Sequence, residues 1–372
     1  MAGSSYGTAI RVTTFGESHG EAVGAILDGF PAGMELSEGD IQPYLDRRKP
    51  GRSHITTARS EADRVRILSG VFEGRTTGTP IMLLMENTSQ RSSDYSNVAH
   101  TYRPGHADYT YDQKYGFRDY RGGGRSSGRE TAGRVAAGAV CLKLLSEMGI
   151  TVTAYTRSIG PVEISPACLT PEGLNPELRL RTMTGMPDEE ADRKTVAFLE
   201  GCKEQKTSAG GVIECRISGV PAGIGEPVFD KLDAELAKAV MSIGAVKAVE
   251  IGDGCACAAK CGHEFNDAFR MGEDGSVRKT SNHAGGILGG ISDGSDILVR
   301  ASFKPTPSIF RPQETVTDEG QDTELTLAGR HDPVIVPRAV VVVEAMCALV
   351  LADALIRGVG ARADRLIDFY RS

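Results

Sequence analysis

The sequence predicts an α+β fold in which one strand–turn–helix–strand unit occurs twice. The pentapeptide GFPAG at residues 29–33 returns as GVPAG at residues 219–223. Each copy follows a short apolar run and precedes an amphipathic stretch, and a second β-like run comes after that stretch. Because no Pro- or Ser-rich linker separates the copies, we expect residues 1–372 to form a single domain with an internal pseudo-duplication.

The elements of the two predicted units follow the same order along the chain. In each unit the apolar run predicts a strand, the pentapeptide a turn, the amphipathic stretch a helix, and the β-like run a second strand. In the first unit and then the second, these segments are residues 23–27 and 212–217, residues 40–47 and 229–240, and residues 65–68 and 246–251.

Two longer helices are also predicted. Ser127 and Glu130 have the spacing of a capping box, apolar residues recur behind them at helical spacing, and Gly149 is a suitable stop. The second helix is expected from about Pro337 to Ile356, because proline is favoured in the first turn of a helix.

Composition and charge exclude several classes of protein. The 42 basic and 49 acidic residues give a net charge of −7, which argues against a nucleic-acid-binding protein. Residues 1–10 have neither the basic nor the apolar region of a signal peptide. Glu344 and Asp353 interrupt the apolar run at residues 339–355, so we expect a buried helix and no membrane span. Eight scattered cysteines fit reduced thiols in the cytoplasm.

The densest group of charges lies in the segment GGGRSSGRET at residues 122–131. A helix N-terminus already carries partial positive charge, so Arg125 and Arg129 are unfavourable there unless an anion lies between them. Three glycines would let the backbone approach that anion closely. The segment therefore predicts a phosphate or carboxylate site, and the alternative is a solvated arginine-rich face.

Two histidines are candidates for acid–base chemistry. His19 lies within GESHG at residues 16–20, directly after a β-like run, where we expect it to be exposed at a strand end. His106 follows a Pro-Gly turn in residues 103–108, and Asp108 is positioned to orient its imidazole. The alternatives are a simple capping role for His19 and an ordinary turn salt bridge for Asp108.

Three further candidate segments lie towards the C-terminus. Residues 281–290 form a glycine-rich loop of the kind that packs on a flat cofactor, and the alternative is a turn or a bulged strand. Residues 304–308, KPTPS, place one lysine and two hydroxyls on a rigid backbone. Residues 329–333, GRHDP, bring Arg330 and Asp332 together before the last long helix. Taken singly, each of these segments is more often structural than functional.

Four potential metal ligands occur close together at Cys255, Cys257, Cys261 and His263. Their spacing differs from that of the usual structural zinc sites, and Cys255 and Cys257 would share one face of a strand. We therefore expect free thiols and no metal, with a zinc site as the alternative.

Together these segments resemble those of the chorismate synthase family. The similar segments keep the family's order and spread across nearly the whole chain: residues 16–20, 103–108, 122–131, 281–290, 304–308 and 329–332. The resemblance implies a β-α-β sandwich, with helices layered between two four-stranded antiparallel sheets, and a homotetramer. It implies a lyase that eliminates phosphate from 5-enolpyruvylshikimate 3-phosphate, in a 1,4-anti sense, to give chorismate. Reduced FMN would bind beside the substrate, with no net redox change.

The resemblance also implies roles for individual residues. His19 is similar to the histidine that protonates the departing phosphate, His106 to the one that protonates reduced flavin, and Asp332 to a proton acceptor near flavin N5. The positions similar to substrate-binding residues are Arg48, His54, Arg129 and Arg330. The positions similar to flavin-binding residues are Arg125, Ser126, Ser127, Gly244, Ala245, Gly289, Lys304, Pro305, Thr306, Pro307, Ser308 and Arg330. The region around Arg48 is alternatively assigned to NADP.

One position departs from the family pattern. His54 stands where members often have an arginine, and Arg52 is nearby, so either side chain is a candidate for that substrate contact. No extra reductase domain is evident in the sequence, so we expect an external flavin reductase, with NADPH as the indirect reductant. Two other functions stay open. One is a non-catalytic anion-binding scaffold, and the other is an FMN oxidoreductase, for which no hydride-acceptor site is evident.

Overall fold

Two antiparallel sheets enclose the long helices in the computed structural model, which describes residues 3–49, 62–88, 98–327 and 332–371. The strands of the first sheet are β1 (Ser5–Tyr6), β2 (Arg11–Gly16), β3 (Ala22–Asp28), β4 (Val65–Ser69) and β7 (Ile81–Glu86). The strands of the second sheet are β8 (Thr151–Ile159), β9 (Val162–Glu163), β10 (Gly211–Ser218), β11 (Val246–Ile251) and β16 (Ile297–Phe303).

The remaining described strands form four two-stranded hairpins outside the main sheets. They are β5 (Val71–Phe72) with β6 (Arg75–Thr76), β12 (Phe269–Met271) with β13 (Val277–Lys279), β14 (Ile287–Leu288) with β15 (Ile291–Ser292), and β17 (Gln313–Val316) with β18 (Asp322–Leu325). The described helices are α1 (Glu38–Arg48), α2 (Asp108–Tyr115), α3 (Thr131–Glu147), α4 (Leu178–Arg181), α5 (Glu189–Glu204), α6 (Leu232–Met241), α7 (Gly262–Phe265), α8 (Val336–Gly358) and α9 (Ala363–Arg371).

In the described part of the chain each main sheet has five strands, whereas four were predicted. The order is β1-β2-β3-β7-β4 in the first sheet and β9-β8-β10-β16-β11 in the second. The fifth strand is in each case a two-residue strand, β1 or β9, paired to one edge. Helix α1 lies between β3 and β4 in the chain, and α6 lies between β10 and β11. Both sheets therefore contain a strand–helix–strand segment.

The two pentapeptide turns make the same hydrogen bonds. The amide of Gly33 donates to the carbonyl of Thr76 at 2.7 Å, and the amide of Gly223 donates to the carbonyl of Ser292 at 2.8 Å. The hydroxyls of Thr76 and Ser292 donate in turn to the carbonyls of the two turn prolines, each at 2.7 Å. Both turn glycines have left-handed backbone, with φ of +91° and +101°, which glycine adopts without strain.

Helices α3 and α8 pack against each other between the sheets, with α1 and α6 beside them. Gly138 allows close contact between the two helices, because a Cβ at this position would lie only 2.4 Å from the Cβ of Ala345. The start of α3 differs from the predicted capping box. Ser127 accepts from the amide of Arg129, at the start of a short 3₁₀ turn, and the carboxylate of Glu130 pairs with Arg134 at 3.0 Å.

Helix α8 confirms the buried helix predicted from the apolar run near the C-terminus. It is long and apolar enough to cross a membrane, but 94% of its apolar window is buried inside the protein. Its two acidic residues are partnered. Glu344 pairs with Arg47 and Arg179, at 2.7 and 2.9 Å, and Asp353 accepts three backbone amides from residues 8–10. These partners allow two carboxylates to lie in the core.

The cysteine-rich segment forms a 3₁₀ turn, Gly254–Ala259, rather than the strand considered from the sequence. Cys255, Cys257 and Cys261 are exposed. Within the described ranges, no group of three or more His, Cys, Asp or Glu side chains is placed to hold a metal ion.

Candidate active site

A cavity of about 1450 Å³ is lined by residues from the first sheet, from α3 and α6 and the segments before α3 and after α6, and from α8. Among the described residues, nine of the lining side chains are cationic, whereas two, Glu130 and Asp332, are carboxylates. The chain as a whole carries a net charge of −7. Positive charge is therefore concentrated at this cavity, as expected for a site that binds small polyanions.

Most of the described candidate residues meet at this cavity. Those that line it are Arg48, His106, Arg125, Ser126, Ser127, Arg129, Gly244, Ala245, Lys304, Thr306, Pro307, Ser308 and Asp332. His19, Pro305 and Gly289 do not line it, and Arg330 and His54 lie outside the described residues.

His19 is buried, with 7% of its surface exposed, although exposure at a strand end was predicted. Its Nδ1 lies 3.2 Å from the hydroxyl of Ser18. Gly122, which does line the cavity, covers the ring so closely that a Cβ there would lie 2.3 Å from the His19 Cε1. The absence of a side chain at Gly122 therefore allows the imidazole to pack against the lining of the cavity.

Two arginines of the cavity share one buried carboxylate. The Nε of Arg48 donates to Asp63 at 3.1 Å, and an Nη of Arg48 and an Nη of Arg129 also donate to it. Burial lowers the pKa of Arg48 to about 10, which leaves it charged at neutral pH. Burial alone would raise the pKa of Asp63, but the two guanidiniums outweigh burial and hold it below its usual range.

Arg129 is also tied to the loop that carries His19. Its Nε donates to the amide oxygen of Asn87 at 2.8 Å, and the amide nitrogen of Asn87 donates to the carbonyls of Glu17 and Gly20. Arg125 is held on the same side, because it donates to the carbonyls of Gly16 and Thr14 at 3.0 and 3.1 Å. The loop at residues 16–20 and the arginine-rich segment therefore form one unit.

His106 is held between two oxygen atoms. Its Nδ1 lies 3.1 Å from the carbonyl of Pro104, and its Nε2 lies 3.0 Å from the hydroxyl of Ser308. Asp108 does not orient the imidazole, as was considered from the sequence. It forms a two-bond ion pair with Arg103, at 2.8 and 2.7 Å, because the guanidinium matches both carboxylate oxygens.

The segment at residues 304–308 contacts two other segments of the site, one beside His106 and one after α6. The Nζ of Lys304 donates to the carbonyl of Gly105 at 2.7 Å, and its amide donates to the carbonyl of Ala245 at 2.9 Å. Ala245 has a left-handed backbone, with φ of +74°, which is uncommon for a residue with a side chain. The hydroxyl of Thr306 is buried without a hydrogen-bond partner among the described residues.

Asp332 also lines the cavity and is paired with Arg338 of α8. The distance from the Arg338 Nη1 to the Asp332 carboxylate is 2.5 Å. The Nε of Arg338 also donates to the carbonyl of Arg48 at 3.2 Å. Arg338 therefore links the Asp332 carboxylate to the C-terminal end of α1, which carries Arg48.

Gly289 lies at the other end of α6 from the cavity. It is in the turn between β14 and β15, and the next residue, Gly290, accepts from the amide of Leu232 at the start of α6. Gly244 and Ala245 follow the end of α6, so about 15 Å of helix separates them from Gly289.

Three residues of the site were missed by the sequence analysis: Asp63, Asn87 and Arg338. Arg338 had a usable signal, since a cation in the first turn of a helix is unfavourable without a nearby anion. Asp63 and Asn87 had none, because their partners are 15 to 70 positions away in the chain.

The chain is similar to known proteins along nearly its whole length. The family model described as chorismate synthase matches residues 10–356. The chorismate synthase of Agathobacter rectalis is 57% identical over 371 residues, which is 100% of both chains. That of Methanocella arvoryzae is 54% identical over 359 residues, 96% of this chain and 95% of the relative. A crystal structure of a chorismate synthase matches with a TM-score of 0.76 at 34% identity, covering 98% of each chain.

Proposed function

Because this chain belongs to the chorismate synthase family, we propose that its cationic cavity is where phosphate is eliminated from 5-enolpyruvylshikimate 3-phosphate. The reaction is a 1,4-anti elimination that gives chorismate, and the enzyme is a carbon–oxygen lyase. The concentration of nine cationic side chains around one cavity, counted in the described part of the chain, carries this proposal. The substrate has two carboxylates and a phosphate, so it needs such surroundings more than a neutral ligand would.

Reduced FMN fits the same cavity beside the substrate. Ser126, Ser127 and Ser308 line the cavity, and hydroxyl groups can donate to or accept from the polar atoms of a flavin. Gly122 and Gly123 have left-handed backbone and line the cavity without side chains, which permits close approach by a flat ring. When bound, reduced FMN supplies electron density transiently to the substrate ring. Arg125, Ser126, Ser127, Gly244, Ala245 and residues 304–308 would hold it.

The substrate anions are assigned to the arginine pair. Arg48 and Arg129 both line the cavity, and their guanidiniums are fixed in place by a shared carboxylate. Fixed guanidiniums bind carboxylate or phosphate without losing further side-chain freedom. In this proposal Arg330 and His54 complete the substrate contacts.

Proton transfers are assigned to three residues. His19, which packs against the cavity-lining Gly122, would protonate the departing phosphate directly or through one water, because histidine can supply a proton near neutral pH. His106 would set the protonation of the flavin, and its hydrogen bond to Ser308 ties it to the proposed flavin-binding segment. Asp332 would accept a proton from the flavin N5, and its ion pair with Arg338 holds the carboxylate at the wall of the cavity.

The oligomeric state, cellular location and reductant of the enzyme are proposed from the family alone. We propose a homotetramer in the cytoplasm, with an external flavin reductase that draws on NADPH. For the fold, we propose that the repeated order of elements in the two sheets reflects an internal pseudo-duplication of a β-α-β sandwich.

An anaerobic chorismate assay tests the proposed function. Purified enzyme is given substrate together with reduced FMN, oxidised FMN or no flavin. Chorismate should form only in the sample that contains reduced FMN. An anion-binding scaffold would form none under any condition, and turnover with oxidised FMN and no reductant would contradict the proposed role of the flavin.

A further inference from the structure

We propose that Asp63 is a positioning residue that joins Arg48 and Arg129 into a single substrate-binding unit. The proposal rests on the assignment of these arginines to the substrate. Asp63 itself does not line the cavity, whereas both arginines do. It therefore acts through them and does not touch the substrate.

The geometry places the carboxylate between the two guanidiniums. One oxygen of Asp63 accepts from the Nε and an Nη of Arg48, and the other accepts from an Nη of Arg129. All three side chains are buried, with exposures of 0% for Asp63, 2% for Arg48 and 6% for Arg129. With a carboxylate oxygen assigned to each, the guanidiniums have little freedom to turn away from the cavity.

The backbone around Asp63 is also fixed. Asp63 has a left-handed backbone, with φ of +46°, a conformation that aspartate and asparagine tolerate better than most residues. The side chain of Gln42 in α1 donates to the carbonyl of Asp63 at 3.2 Å and accepts from the amide of Val65 at 3.0 Å. These bonds hold Asp63 against the helix that carries Arg48, so the distance between the Asp63 carboxylate and the Arg48 guanidinium stays fixed.

The charge of the group suits an anionic ligand. Two guanidiniums at this separation repel each other, and the carboxylate between them offsets that repulsion. The group keeps one net positive charge on the cavity side. Without the carboxylate, the arginines would have more charge but would lose their shared orientation. We expect orientation to matter more, since guanidiniums bind carboxylate and phosphate through paired, directional bonds.

The protein contains a matched arrangement that lacks the proposed function. Glu344 is 1% exposed and pairs with Arg47 and Arg179, so it is also a buried carboxylate between two arginines. Neither of these arginines lines the large cavity. A substitution at Glu344 therefore removes the same kind of interaction without touching the proposed site.

Titration calorimetry with 5-enolpyruvylshikimate 3-phosphate distinguishes a positioning role of Asp63 in substrate binding from a purely structural role. Asp63→Asn removes the charge and keeps the tolerated backbone, and we expect the substrate Kd to rise at least about tenfold while FMN affinity stays within about twofold. Glu344→Gln, measured below its melting temperature, should keep the parental substrate Kd. In turnover assays Asp63→Asn should raise KM more than it lowers kcat, because binding is affected before chemistry.

Two outcomes would overturn the proposal. One is a parental substrate Kd in folded Asp63→Asn, and the other is an equal loss of substrate affinity in Asp63→Asn and Glu344→Gln. If Asp63→Asn does not fold, Asp63→Glu keeps the charge but displaces it, and weaker substrate binding with unchanged FMN binding is again expected. Because calorimetry needs no turnover, a parental enzyme that binds substrate but forms no chorismate would contradict the proposed function and leave this test intact.

Discussion

The hydroxyl of Ser308 lies 3.0 Å from the Nε2 of His106, and the Nδ1 of the same ring lies 3.1 Å from the carbonyl of Pro104. A carbonyl can only accept, so Nδ1 must carry a proton and donate to Pro104. Nε2 is then the nitrogen that gains and loses a proton. Ser308 can donate to Nε2 in the neutral ring and accept from it in the charged ring.

This relationship gives a prediction about the flavin. His106→Ala should change the pH dependence of the absorption spectrum of bound reduced FMN, because the nearby titrating group is removed. Ser308→Ala should shift the midpoint of that dependence without abolishing it, and Ser308→Thr, which keeps the hydroxyl, serves as the control. An unchanged pH dependence in His106→Ala would remove this histidine from flavin protonation.

His19 is expected to act on the leaving phosphate. His19→Ala should lower turnover by about 100-fold to 10,000-fold, the usual contribution of a general acid, and leave FMN affinity nearly unchanged. Steady-state turnover and fluorescence titration of FMN measure the two effects. A variant with near-parental turnover would place the acid elsewhere.

The contact between Gly122 and His19 can be tested separately. Gly122→Ala would place a Cβ 2.3 Å from the imidazole, so the ring must move and turnover should fall about as far as in His19→Ala. Gly116→Ala is the control, because Gly116 also has positive φ, at +79°, but has open space around it. It should lose stability and keep its turnover. Equal turnover in the two alanine variants would contradict the proposed placement of His19.

The two pentapeptide turns and the arginine-rich segment could be predicted from the sequence because their information is local. The pentapeptides at residues 29–33 and 219–223 carry the turn chemistry themselves, and glycines beside arginines indicate an anion site. The shared carboxylate could not be predicted in this way, since Asp63 and Arg129 are 66 positions apart and meet only through the tertiary fold.

Asp108 illustrates a limit of reasoning from neighbours. It is the nearest carboxylate to His106 in the sequence, but a carboxylate can serve few partners, and the guanidinium of Arg103 offers two parallel bonds. Gly289 illustrates another limit. Its glycine-rich segment indicates a turn, but only the position of α6 shows which end of the helix that turn lies against.

Asp332 is expected to accept a proton during turnover. Asp332→Asn keeps the shape of the side chain but cannot accept that proton, so turnover should fall strongly while substrate and FMN remain bound and Tm changes little. The competing explanation is a structural ion pair with Arg338, 2.5 Å away. That explanation predicts that Tm and binding fall in proportion to rate, and that Arg338→Met and Asp332→Asn behave alike.

The acid stability of the protein should depend on Asp108. Burial alone would raise the pKa of this carboxyl, but its bonds to Arg103 hold it below the usual value near 3.8. A lowered pKa means that the ion pair stabilises the fold above about pH 4 and that this stability is lost as pH falls through the folded-state pKa.

The substitution Asp108→Asn tests this dependence. It should cost about 3–5 kcal/mol of unfolding free energy at pH 7, the usual cost of breaking a buried ion pair, and less at pH 3. Urea unfolding at pH 7, 5, 4 and 3 measures the difference. Asp46→Asn, in which an exposed carboxylate is changed, should have little effect at any pH. An Asp108→Asn variant with the same loss at pH 3 and pH 7 would contradict the assignment.

The central claim is that this cavity catalyses an elimination with no net redox change, and the ratio of chorismate formed to FMN oxidised tests it most directly. Under anaerobic conditions, enzyme receives excess substrate and a small, known quantity of reduced FMN. Chorismate is measured by absorbance and flavin oxidation by its visible spectrum. We expect many chorismate molecules per FMN, an equal amount of inorganic phosphate, and flavin that stays reduced. One FMN oxidised for each product molecule would identify an oxidoreductase and contradict the account.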